Sequence, residues 1–130
     1  MRENGMDRDI ALAIVDAVDS IKTSLEQINN NLYHVVILTQ PVDVVDAVAD
    51  ETYTFSVSAA NVVSYQWQNK NQNPAITEWT NSALSGNTTD TLTIQASAPR
   101  YSYLYRCAMV GKDGETVYSD AVKLIAPAQG

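Results

Sequence analysis

Cysteine and histidine each occur once in this 130-residue chain, at Cys107 and His34. A lone thiol excludes an intrachain disulfide and fits folding in a reducing compartment. One imidazole excludes a multi-histidine metal site within one chain, and at that position no His-based triad is expected. His34 falls at an expected helix-to-strand junction, where packing or solvation accounts for it. No residue near Cys107 in sequence would lower its pKa, so a buried structural thiol is expected there instead of a nucleophile. The inventory implies a protein that is not an enzyme, with no cofactor and no metal.

Basic residues are also scarce. Lysine and arginine total 8 against 15 acidic residues, giving a formal charge of −7 and a pI near 4.4. Divided at Gln40, the front part carries three basic and six acidic side chains and the rest five and nine, so neither part has a basic excess. A phosphate backbone would be repelled, which excludes nucleic acid as a partner. Long apolar runs are absent, and no membrane span is expected. Arg2 and Arg8 alternate with Glu3, Asp7 and Asp9, while Asp16 and Asp19 interrupt the apolar residues that follow. That pattern does not read as a signal peptide. Against these absences, 45% hydrophobic and 18% charged residues supply a packed core and exclude wholesale disorder.

Periodicity divides the chain. Ala11, Ile14, Val18, Ile21, Leu25 and Ile28 recur at intervals of three and four, a heptad seam on one face of an N-terminal helix. Asp7 is the expected N-cap, and Asn29-Asn30-Asn31 the expected end, which leaves Leu32 outside the seam. With Ala11, Val18 and Leu25 at a and three isoleucines at d, the seam leans toward three or more strands. Self-association, docking on another protein and packing on the chain's own sandwich all remain open. The domain reading is residues 1–32 for this helix, 33–39 for a linker and first strand start, and 40–130 for a β-domain.

From Tyr33 onward the pattern is strands and turns. Val35 to Leu38 is an apolar run, and Pro41 breaks it as a kinked edge strand would. Tyr53, Phe55 and Val57 alternate with Thr54, Ser56 and Ser58; Ser64 to Gln68, Thr91 to Ile94 and Tyr103 to Met109 behave alike. Lys70 to Pro74, Ser85-Gly86-Asn87 and Gly111-Lys112-Asp113-Gly114 are turns, and Trp79 falls in a short strand or its loop. About seven short strands at this spacing, with no further helix, give a β-sandwich.

The residues Tyr65-Gln66-Trp67-Gln68, Asp90-Thr91-Leu92-Thr93-Ile94 and Tyr105-Arg106-Cys107 resemble the C, E and F strands of an immunoglobulin-like domain. The resemblance implies that Trp67 is the core tryptophan and Tyr105 the tyrosine that ties the E–F corner. Phe55 stands where a disulfide-bonded member has its first cysteine, so aromatic packing replaces the bridge and leaves Cys107 alone. With Thr39-Gln40-Pro41-Val42-Asp43-Val44 and Trp79-Thr80-Asn81, the wording is similar to Ig-like modules of bacterial surface proteins and tailed-phage structural proteins. It covers about ninety residues, and it is specific for fold and weak for function.

A helical leader on one such module resembles phage virion accessory proteins, namely capsid decoration proteins and head fibres. That implies a virion-surface location, capsid or tail structural proteins as partners, a homo-oligomer of three or more chains, and contact with host-surface glycans. The alternatives are a bacterial cell-surface or secreted adhesion module, or a transient assembly factor. Ligand contacts are expected in the loops at Asn61, Asn81 to Asn87, and Lys112 and Asp113, with Tyr118 and Tyr101 as exposed aromatics. Asp43, Asp46, Asp50 and Glu51 lack the glycine-punctuated pattern of a calcium loop and read as a solvated edge. Asn87-Thr88-Thr89 matches a glycosylation sequon, a pattern common by chance.

Overall fold

A computed structural model describes residues 3–128; Met1, Arg2 and the last two residues lie outside the described residues. The chain divides into two compact units after Tyr33.

The first unit is α1, Glu3–Tyr33. It begins before the expected cap, so Asp7 lies inside the helix, and it runs on through Asn29-Asn30-Asn31. Asparagine is a weak helix former, about 0.7 kcal/mol worse than alanine, but it is no breaker. Once nucleated, a helix gains a hydrogen bond for every residue added, and three such costs do not stop it. Leu32 therefore lies within the helix and extends the seam by one step.

The second unit contains β1 (Val36–Thr39), β2 (Thr52–Ser56), β3 (Ser58–Ala60), β4 (Val62–Asn71), β5 (Thr80–Asn81), β6 (Thr91–Gln95), β7 (Tyr103–Gly111) and β8 (Thr116–Tyr118). Strand β1 pairs antiparallel with β3, and β2 with β6. Only Val57 separates β2 from β3, and its amide donates to the Asp90 carbonyl at 3.0 Å. One strand thus changes partner at Val57. The other sheet runs β5-β4-β7-β8, all antiparallel. A 3₁₀ turn at Pro99–Ser102, not expected from the strand pattern, bridges β6 and β7.

The first strand crosses between the sheets at Pro41, which has no amide hydrogen for a ladder. Before it, β1 pairs with β3; beyond it, Val44 forms a parallel bridge to Leu124, and the Ile125 amide donates to the Val44 carbonyl at 2.8 Å. The sandwich therefore begins at about Val35, a buried residue.

Strict alternation builds the core. Register places Phe55 opposite Leu92 and Tyr53 opposite Ile94 on one sheet, and Trp67 opposite Cys107 and Tyr65 opposite Met109 on the other. Phe55, Trp67, Leu92, Ile94, Tyr105, Cys107 and Met109 are buried in one cluster with Val122 and Leu124. The Phe55 ring centroid lies 6.5 Å from that of Trp67 and 5.5 Å from that of Tyr105, within the range of favourable aromatic pairs. The Trp67 indole N–H is satisfied by the Thr89 carbonyl at 2.8 Å, as a buried donor must be. An immunoglobulin-like β-sandwich preceded by an α-helix is the architecture.

Candidate functional site

The buried residues are unsuited to chemistry. Burial pushes the Cys107 thiol up to about 12, against a weaker lowering by a backbone hydrogen bond at Gln66. A thiol so placed stays protonated and unreactive at neutral pH. Burial likewise raises Tyr105 to about 12, with Arg100 opposing. Tyr105 does not tie the corner, because its hydroxyl makes no hydrogen bond among the described residues. The tie comes from Tyr101, whose hydroxyl donates to the Ala47 carbonyl. Tyr101 is thereby half-buried and structural, not the exposed contact expected of it. Chain direction explains the change: the 3₁₀ turn carries Tyr101 toward the 41–50 crossover, while strand alternation turns Tyr105 inward.

The loop asparagines separate by environment. Asn61 has φ 67° and its side-chain amide donates to the His34 carbonyl at 2.9 Å, so it shapes the start of the sandwich. Half-buried Asn87 donates to the Ser82 carbonyl at 2.8 Å, and its own carbonyl accepts from the Trp67 amide at 2.7 Å. The sequon is thus part of the loop's internal bonding. Asp113 accepts at 2.9 Å from His34 Nδ1, and this bond holds its carboxyl below the usual carboxylate range. Lys112 lies beside it, exposed. In the acidic segment, Asp43 accepts from the Lys123 amide at 3.0 Å, and Asp46 and Asp50 occupy left-handed turn positions with φ 58° and 73°. These aspartates serve turns and strand ends.

Two surfaces remain. On α1, the seam residues Ile14, Val18, Ile21, Leu25 and Ile28 are each 51–60% exposed, and Ala11 and Leu32 are exposed too. A single helix cannot cover its own apolar face. Apart from Lys22, charges between residues 10 and 28 fall at Asp16, Asp19 and Glu26, all off the seam.

The second surface is the outer face of the four-stranded sheet. Alternation that sends Trp67 and Cys107 inward sends Gln66, Gln68 and Lys70 of β4 and Arg106 of β7 outward. Register sets Gln68 between Asn81 and Arg106, and Ala108 opposite Tyr118. Arg106 is therefore the diagonal neighbour of Tyr118, across the small Ala108 side chain. Its guanidinium carbon lies 3.8 Å from the Tyr118 ring centroid and 4.3 Å from that of Trp79. Its Nε donates to Gln68 Oε1 at 2.9 Å, and the Gln68 amide donates to Asn81 Oδ1 at 3.3 Å. Lys70 Nζ stands 5.7 Å from the Trp79 centroid and donates to the Ile76 carbonyl at 3.1 Å. Partial burial lowers the Arg106 pKa, with Tyr118 opposing, yet a guanidinium keeps its charge at any physiological pH.

Tyr118 and Asn81, expected as contact residues, both lie on this face, on its opposite edge strands, whereas Asn61, Asn87, Lys112 and Asp113 do not join them. Sequence reasoning passed over Trp79, Gln68 and Arg106. The available signal was the polar phase of the strands: Gln66, Gln68 and Lys70 against inward Tyr65 and Trp67. No sequence spacing connects Trp79 to Arg106.

No protein-family model matches the chain, and no curated protein does. Among solved structures, the titin M3 domain is similar at 11% identity, with a TM-score of 0.48 and coverage of 75% of this chain and 99% of that one. A chimeric titin Z1Z2 carrying an exogenous decorin peptide is 20% identical, with a TM-score of 0.47 over 73% and 95% of the two chains. The fibronectin(III)-like modules of Clostridium thermocellum CbhA are 14% identical, with a TM-score of 0.41 over 73% and 99%. The immunoglobulin-like assignment itself stands on the strand order, the register and the buried Trp67.

Proposed function

We propose that this chain is a non-enzymatic structural protein of a tailed-phage virion, anchored through its N-terminal helix and displaying an Ig-like domain on the particle surface. The observation that carries the reading is the uncovered heptad seam of α1, in a unit separate from the sandwich. A face of that length and regularity is an assembly surface in search of equivalent helices or a shell protein. The sandwich supports display: it is closed around one core, and burial keeps its thiol protonated. The protein acts as a capsid decoration or fibre, with capsid or tail proteins as partners and three or more copies per unit.

The test is incorporation. Mass spectrometry of purified particles should find the chain in a fixed ratio to the major shell protein, and a version starting at His34 should fold yet fail to join. Absence of the full-length chain from particles refutes the virion reading. Its recovery instead in the cell envelope of a bacterium would transfer the same display architecture to an adhesion module.

A further inference from the structure

We infer that the outer face of the β5-β4-β7-β8 sheet binds a carboxylate-bearing glycan, with Arg106 receiving the carboxylate and Tyr118, Trp79 and Asn81 receiving the sugar. The inference takes up the display reading above and names what is displayed.

Arg106 is built to be read from its edge. Two aromatic rings lie within 4.3 Å of the guanidinium carbon, and Nε is committed to Gln68. Its terminal nitrogens have no hydrogen bond or ion pair among the described residues, where the one ion pair joins His34 and Asp113. These nitrogens offer the forked donor pair that matches a carboxylate. The rings and Gln68 already hold the side chain, so little further ordering is needed on binding.

Charge singles out the same place. The chain carries −7 overall, yet β4, β5, β7 and β8 contain no acidic residue and do contain Lys70 and Arg106. Nearby acids such as Glu78 and Asp120 belong to the connecting segments. Two cations on strands free of acidic residues favour an anion here over the rest of an acidic surface.

The ladder indicates which anion. Strands β4 and β7 pair along nearly their whole length, and β5 and β8 flank them. Main-chain groups around Arg106 are thus already hydrogen-bonded, and the edges of this sheet are the two-residue β5 and three-residue β8, too short for an extended peptide to add a strand of ordinary length. Recognition must come from side chains. Tyr118, 48% exposed, offers a ring for sugar C–H groups, and the exposed Asn81 amide a donor for hydroxyls. An acidic peptide is the competing occupant.

The test uses the full-length chain in solution, so it can fail while the particle assignment stands, and particle incorporation can fail while it holds. Nitrogen-15 NMR titrations would compare uronate- and sialate-bearing oligosaccharides, their neutral methyl esters and a glutamate-rich peptide. Expected are shifts of the Arg106 Nε–H and Trp79 Nε1–H with an acidic sugar, and about tenfold weaker binding of its ester. Arg106→Gln should abolish the response, and Arg106→Lys should keep part of it because charge remains without the fork. Equal binding of acid and ester, binding of the peptide alone, or no response to any acidic sugar would each overturn the proposal. The wild-type comparison of acid with ester holds even if a variant fails to fold.

Discussion

Replacing Ile21 with aspartate should dissolve the helix-mediated assembly and leave the sandwich folded. Ile21 occupies a d position and is 60% exposed in the isolated chain. Covering it in a helical bundle contributes about 1–2 kcal/mol per chain, since full burial of such a side chain is worth about 1.5–3 kcal/mol. The six large seam residues, Ile14 to Leu32, together supply roughly 6–10 kcal/mol per chain before ordering costs. Aspartate removes one share and brings a carboxylate into the seam, at a cost of several kcal/mol per ion. In a symmetric bundle these carboxylates also face one another, so the loss exceeds half of the gross gain.

Sedimentation velocity over a roughly hundredfold range of concentration should show wild-type chains associating and Ile21→Asp remaining monomeric. The 222 nm circular dichroism of the variant should fall, because an isolated helix has only marginal stability in water. Near-ultraviolet dichroism from buried Trp67 should stay. A wild-type chain that is monomeric at every concentration refutes self-association. Loss of the near-ultraviolet signal with the helix refutes the independence of the two units.

Two further expectations concern the sandwich. Gly86 has φ +80°, and a Cβ there would overlap the Thr91 carbonyl oxygen; Gly86→Ala should cost about 3 kcal/mol in urea unfolding, and an unchanged midpoint would refute the strain argument. Stability should also fall in alkali. Folded Cys107 and Tyr105 titrate near 12 but ionise at about 8.5 and 10 when unfolded. The native state holds these protons longer, so stability is full below pH 8 and is lost as pH rises toward 12. At pH 10.5 the thiol alone should remove on the order of 2 kcal/mol. Urea midpoints that match at pH 8 and 10.5 would refute this, and Cys107→Ala should flatten the decline.

Local pattern carried much of the structure. The heptad positions, the period-two strands around Phe55, Trp67 and Cys107, and the turns at Gly86 and Gly114 follow from side-chain polarity at fixed spacing, because spacing alone sets which face a residue shares. The ends of α1 did not follow, since weak helix formers yield to propagation. The corner tie was also misplaced, since the choice between Tyr101 and Tyr105 depends on where the crossover at Ala47 lies in space.

By itself, then, the sequence determined a disulfide-free sandwich preceded by an amphipathic helix, with no second histidine for a multi-histidine metal site within one chain. Tertiary structure alone decided that Arg106 meets Trp79 and Tyr118, with Gln68 and Asn81 beside them. Those contacts depend on strand register and on how a loop returns to the sheet. Residues 12 to 38 positions apart become neighbours only when β4, β5, β7 and β8 pair.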